Sequence, residues 1–193
     1  MFSPQSIRLE IRRNSQALTI DDNNFPSCQV SVALSDDFRA VFRAGEQTIT
    51  RNDLDSLGLT ALSLWDLTAD ALAKTHIKVR LHSIDGLEVA SAAGSAVHWL
   101  AHPHSFWLLN SHLEQVLNSS IMYFAPTIDT LVAARLDSDA SPQLRSWAFK
   151  TYAHSGSKAL FPYGLVYERG FPKSFPQHPA TTRQSRNLVS NPQ

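Results

Sequence analysis

The segment IKVRLHSIDGLEV, residues 77–89, limits the fold more than any other stretch of this chain. Ile77, Val79 and Leu81 alternate with Lys78, Arg80 and His82, the period of two that gives a strand one apolar and one polar side. Asp85-Gly86 then supplies backbone that tolerates positive φ, as a reversal between twisted strands requires, and Leu87 and Val89 begin the return. A β-hairpin is predicted here, so the fold contains at least one antiparallel sheet.

Other segments repeat the alternation. Ile7, Leu9 and Ile11 are interleaved with Arg8, Glu10 and Arg12, a strand with one wet face at an edge. After the turn chemistry of DDNNFPS, residues 21–27, come Val30, Val32 and Leu34, then a returning strand over Phe38 to Phe42. The small residues from Ala92 to Val97 are expected to lead into a third strand beside the hairpin. Tyr123 to Ala125, Thr130 to Leu136 and Leu165 to Tyr167 are further short strands.

Helices are predicted where the period changes to 3.6. Thr50 with Asp53 reads as a capped first turn, Gly58 breaks it, and a second start at Thr60 leads into Leu64, Trp65 and Leu72 on one face. Pro103 suits the first turn of a helix to Leu117, with Phe106, Leu109, Leu113, Val116 and Leu117 on a stripe. Ser141 and Pro142 open a last helix that carries Leu144, Trp147, Ala148, Thr151 and Tyr152. After Gly170 the chain has four of its ten prolines and no acidic residue, which reads as a flexible tail over 171–193.

Bulk properties narrow the function classes. The 193 residues, 43 % hydrophobic and 18 % charged, suit one globular domain that needs neither disulfide nor metal to hold its core. Seventeen basic residues balance seventeen acidic ones, which weighs against nucleic acid as a partner, although Lys173, Arg183 and Arg186 make the tail basic. A lone cysteine, Cys28, excludes multi-cysteine metal motifs and fits a reducing, cytoplasmic setting. Three arginines near the start, with no apolar run behind them, argue against a signal peptide. The 25 residues between Glu88 and Glu114 carry no formal charge, but their histidines, serines, Gly and Pro indicate protein core and no membrane partner.

The most unusual stretch is HWLAHPHSFWLLNSHL, residues 98–113, with four histidines and two tryptophans. His98 and His102 have the i, i+4 spacing at which two imidazoles on a helix share a metal, yet Pro103 pushes His102 out of helical angles. His112 is eight residues from His104. The set therefore does not converge locally, and a metal-dependent hydrolase would need an acidic partner such as Glu114 or Asp129 from elsewhere. The simpler reading puts His102 and His104 at a helix start, bonded to backbone or wet, with His112 at the edge of the apolar face. No GxSxG elbow occurs, the seven glycines are scattered singly, and His154-Ser155-Gly156-Ser157 reads as a helix C-terminus. No catalytic residue, metal ligand or cofactor is expected.

What remains is apolar surplus on the helix after Pro103. Trp99, Trp107 and Leu108 lie off its stripe, more girth than one sheet covers, and aromatics of this kind anchor interfaces. The passages TRNDLDSLGLTALSLWDLTADALAKT and PTIDTLVAARLDSD, within residues 50–168, resemble the YtpQ-like family of uncharacterised bacterial proteins. The chain departs from that pattern at Ala73-Lys74, where the family tends to carry Asn-Leu, and at Ile128-Asp129 in place of Arg-Asp. The order of elements from Thr50 onward is similar to that of type III secretion chaperone-like proteins. These resemblances imply an α+β sandwich and a protein-binding role, and carry no site residues. The expectation is one α+β domain over residues 1–170: a strand extension (1–48), then a body (49–170) with an antiparallel sheet flanked by three helices. Its expected function is that of a non-enzymatic, chaperone-like interaction module. It would bind another protein or form a homodimer through Trp99, Phe106, Trp107, Leu109 and Leu113.

Overall fold

The computed structural model describes residues 3–14, 26–139 and 141–175. The expected turn at residues 21–25 and the tail from 176 onward, with Arg183 and Arg186, lie outside the described residues.

The chain is α+β, with antiparallel strands throughout. Strands β1 (Ile7–Arg13), β2 (Ser31–Ala33), β3 (Phe38–Ala44) and β4 (Gln47–Thr48) form one sheet in the order β1-β3-β2, with β4 also on β3. Along β1 the alternation of the sequence is realised: Ile7, Leu9 and Ile11 are buried, and Arg8 is exposed. Helix α1 (Arg51–Leu57) starts with a capping box in which the Thr50 hydroxyl and the Asp53 carboxylate bond each other's backbone N–H, and stops at Gly58 in the left-handed region. These bonds satisfy amides that have no partner within the helix. Helix α2 (Ala61–Ala73) starts anew with Thr60 accepting from the Ser63 N–H.

The hairpin pairs β5 (Ile77–Leu81) with β6 (Leu87–Ser91). Its reversal is wider than two residues, closing as the His82 N–H donates to the Gly86 carbonyl, with Asp85 and Gly86 both at positive φ. Where a third strand was expected there is a 3-10 helix, Ala96–Ala101, whose Ser95 hydroxyl accepts from the Val97 N–H. Small residues at 92–96 have no side chains to fill a pleated face, and that cap supplies an alternative to a ladder. Helix α3 (Pro103–Leu117) follows, then β7 (Ile121–Thr127), β8 (Thr130–Arg135), helix α4 (Ser141–His154), β9 (Gly164–Glu168) and β10 (Phe171–Ser174). The second sheet has six strands in the order β10-β9-β7-β8-β6-β5.

Two expectations about layout need correction. The strands over 1–48, expected as an extension of the body, make a sheet of their own, and their inner residues Ile11, Phe38 and Phe42 share a core with Phe106, Leu109 and Tyr123. The tail does not begin at Phe171, because Phe171–Ser174 pairs with β9 along its length.

The centre of the six-stranded sheet is covered on both faces. Helix α3, the 3-10 helix and the N-terminal sheet cover one face, with Phe38 edge-on to Phe161 at 5.0 Å. On the other face α4 sets Leu144 and Ala148 against Met122, Phe124, Val132 and Ala134. Seven consecutive buried residues make β7 the centre of this arrangement. Burying each large side chain of such a core contributes about 1.5–3 kcal/mol.

Candidate functional site

The histidine-rich stretch resolves into separate tasks. His102 is the N-cap of α3: its Nδ1 accepts from the His104 N–H at 3.0 Å. The proton is therefore on Nε2, which donates to Asp66 Oδ1 at 3.2 Å, joining the start of α3 to α2. The same ring lies edge-on to Trp65 at 4.4 Å, whose Nε1 donates to the Ala101 carbonyl. Burial pushes the His102 imidazole below its ordinary range, opposed by the hydrogen bond to Asp66. His104 is exposed and stacks on Trp107 with centroids 6.4 Å apart, and His112 is exposed.

His98 differs from these. It sits in the 3-10 helix with Nδ1 shut off from solvent and without a hydrogen-bond partner among the described residues. A buried polar atom left without a bond costs about 1–3 kcal/mol. Burial is the main cause that holds its imidazole below the ordinary range; Glu10 and Asp129 pull the other way, and Arg12 and Arg8 reinforce burial. One side of the residue borders a hollow of about 400 Å³ between β1, α2 and the turn after β6.

The four imidazoles thus have different partners, and among the described residues no group of three or more His, Cys, Asp or Glu is placed to hold a metal ion. Asp129 pairs with Lys158 at 2.8 Å, and His82 lies edge-on to Trp147. At the end of α4, His154 Nδ1 meets the Lys150 carbonyl, as a helix terminus.

The interface expected on α3 is mostly core. Phe106, Leu109 and Leu113 are fully buried, and Trp99 is 3 % exposed with its Nε1 toward Ser91 Oγ at 3.4 Å. Only Trp107, 51 % exposed, faces outward. The reason is the N-terminal sheet: with its strands, α2 and the 3-10 helix packed on this side, the apolar girth of α3 is satisfied within the chain. Even the polar residues take part, as the buried Tyr123 hydroxyl donates to Asn110 Oδ1 at 3.0 Å.

The open apolar surface lies instead on β5. This strand is one edge of the six-stranded sheet, the other being β10, and four of its five residues are exposed. Register places Val79 beside Val89 and Leu81 beside Leu87, so the apolar side of β5 continues the inner face of the sheet. The cover ends at β6: Leu87 and Val89 are buried, whereas Leu81 is 86 % exposed and Val79 38 %. The amides and carbonyls at 76 and 82 point toward β6, since the His82 N–H donates to Gly86 and the Ala92 N–H to the His76 carbonyl. By alternation, those of Ile77, Val79 and Leu81 point to the open edge. On the opposite face Arg80 makes a two-pronged pair with Glu88, at 3.0 and 2.8 Å, beside the exposed Lys78. The alternation of residues 77–82 was legible in the sequence; that the strand lies at an edge depends on the sheet order.

Among the described residues no helix is long and apolar enough to cross a membrane. No protein-family model, curated protein or solved structure matches the chain, so the likeness to the YtpQ-like proteins rests on its two sequence passages alone.

Proposed function

We propose that this protein is a non-enzymatic protein-binding module that takes an acidic, extended segment of another protein along the open edge of β5. The observation that carries the reading is the combination found on that strand: outward backbone groups at Ile77, Val79 and Leu81, an uncovered apolar side, and cations on the other side. Strand addition uses these elements, with main-chain bonds for affinity and alternate side chains for specificity. A second copy of the chain fits less well. Antiparallel self-pairing of β5 centred on Val79, which keeps the apolar sides together, sets Lys78 opposite Arg80 of the copy, which is unfavourable. A partner with apolar residues alternating with Asp or Glu meets Val79 and Leu81 on one side and Lys78 and Arg80 on the other.

The test is binding of a capped seven-residue peptide alternating Val with Glu, against one alternating Val with Lys, followed by fluorescence anisotropy. The acidic peptide is expected to bind with Kd of about 10–100 μM, more weakly at high salt, and the basic one not at all. Val79→Pro deletes one outward N–H and leaves the bonds to β6 intact, so it should abolish binding in a folded protein. Equal binding of the two peptides, or a Val79→Pro variant that binds as before, refutes the proposal.

A further inference from the structure

The three polar residues at 78, 80 and 82 differ in what already holds them. Arg80 makes its two-pronged pair with Glu88 across the hairpin, so the fork that would grip a foreign carboxylate is filled. His82 is turned toward the fold: its ring lies edge-on to Trp147 at 4.6 Å, and its Nδ1 faces the Ile84 N–H at 3.4 Å. Lys78 is exposed and has no such partner. Its neighbour on β6 is Ala90, which offers nothing to an ammonium, and among the described residues no ion pair or side-chain hydrogen bond engages it.

Strand addition makes that position the one where charge is read. The outward backbone groups belong to Ile77, Val79 and Leu81, so an antiparallel partner exchanges its hydrogen bonds with these three. Lys78 then faces a partner residue in a non-hydrogen-bonded pair, the closer of the two kinds, with Cβ atoms about 4.5–5.5 Å apart. A carboxylate at that place meets an ammonium that gives up only water. A carboxylate opposite Arg80 has to displace Glu88, which exchanges one exposed ion pair for another with little net gain.

We propose that Lys78 alone selects the charge of the partner. The segment that adds to β5 runs antiparallel to it and carries one Asp or Glu opposite Lys78, between apolar residues that pair with Ile77 and Val79. Its residues opposite Arg80 and His82 need carry no charge. This inference rests on the β5 edge being the binding site, and adds which side chain there discriminates between partners.

The experiment uses the full chain with the same Val/Glu and Val/Lys peptides, with anisotropy read at low and high salt and the fold of each variant checked by its melting temperature. Lys78→Gln removes one exposed charge and should weaken the acidic peptide about fivefold and reduce its salt dependence. Arg80→Gln combined with Glu88→Gln removes the internal pair without stranding a carboxylate, and should leave Kd within about twofold. Lys78→Glu should reverse the preference, so that the lysine peptide binds more tightly than the glutamate peptide. An acidic peptide that fails to bind the unaltered chain removes both the site and this inference. Binding unchanged by Lys78→Gln, an equal loss in the Arg80 and Glu88 double variant, or a Lys78→Glu chain that still prefers the glutamate peptide overturns the role of Lys78 and leaves the β5 edge standing.

Discussion

His102 is held to one tautomer by its position, and this gives the protein an acid-sensitive joint. Its Nδ1 must stay unprotonated to accept the His104 N–H, so protonation removes the cap of α3. His98 has no bond to lose, but its burial also disfavours the charged form. Both folded-state pKa values lie below the ordinary 6.5. The unfolded chain therefore binds more protons in that window: the stabilisation is complete above about pH 6.5 and is lost as pH falls through the two lowered values. Urea titrations from pH 8 to pH 5 should show a flat midpoint followed by a decline, and His102→Asn, which keeps a cap without a titrating ring, should soften the decline. His102→Ala should cost about 1 kcal/mol at pH 8. Tyr123→Phe leaves the buried Asn110 oxygen without its donor and should cost about 1–3 kcal/mol, measured the same way. At Gly86, φ is +97°, and a Cβ would come 2.7 Å from the Ala133 carbonyl oxygen. Gly86→Ala should therefore lower stability by more than about 2 kcal/mol, against a few tenths for the exposed Trp107→Ser.

At the level of elements, the two sides of the hairpin differ in what protects them. Strand β6 lies between β5 and β8, whereas β5 has one neighbour and an outer row of unpaired backbone groups. Charged side chains are a common means of keeping such an edge from pairing with copies of itself. Replacing both Lys78 and Arg80 with Thr should therefore drive the protein into aggregates at high concentration, detectable by light scattering, while leaving the melting temperature within a few degrees. Much of this level could be read from the residues. The caps at Thr50 and Thr60, Pro103 at the start of α3 and the alternation of Ile7, Leu9 and Ile11 act through neighbours in sequence, and each lies where it was expected. The 3-10 helix was missed because Ala92 to Val97 carries no periodic signal. Trp99, Phe106, Leu109 and Leu113, expected at an interface, lie in the core: an apolar girth looks alike whether the second layer comes from the same chain or another. The hollow at His98 depends on β1 meeting α2, a contact between segments some sixty residues apart.

For the whole molecule, bonds between distant segments matter more than any one layer. Arg13 donates to the Tyr152 hydroxyl at 2.6 Å, and the Ser174 hydroxyl donates to Asp37, so the N-terminal sheet is tied to α4 and to the last strand. With one core running through both sheets, unfolding should be a single transition in which tryptophan fluorescence and circular dichroism coincide; separate midpoints would show that the N-terminal sheet melts alone. Strand β7, covered above and below, determines what a deuterium label would report. Its amides cannot reach water by fraying of either layer, so they should be the last to exchange, at a rate that tracks the global free energy of opening. The central ladder would then serve as a built-in gauge of how any bound peptide stabilises the chain.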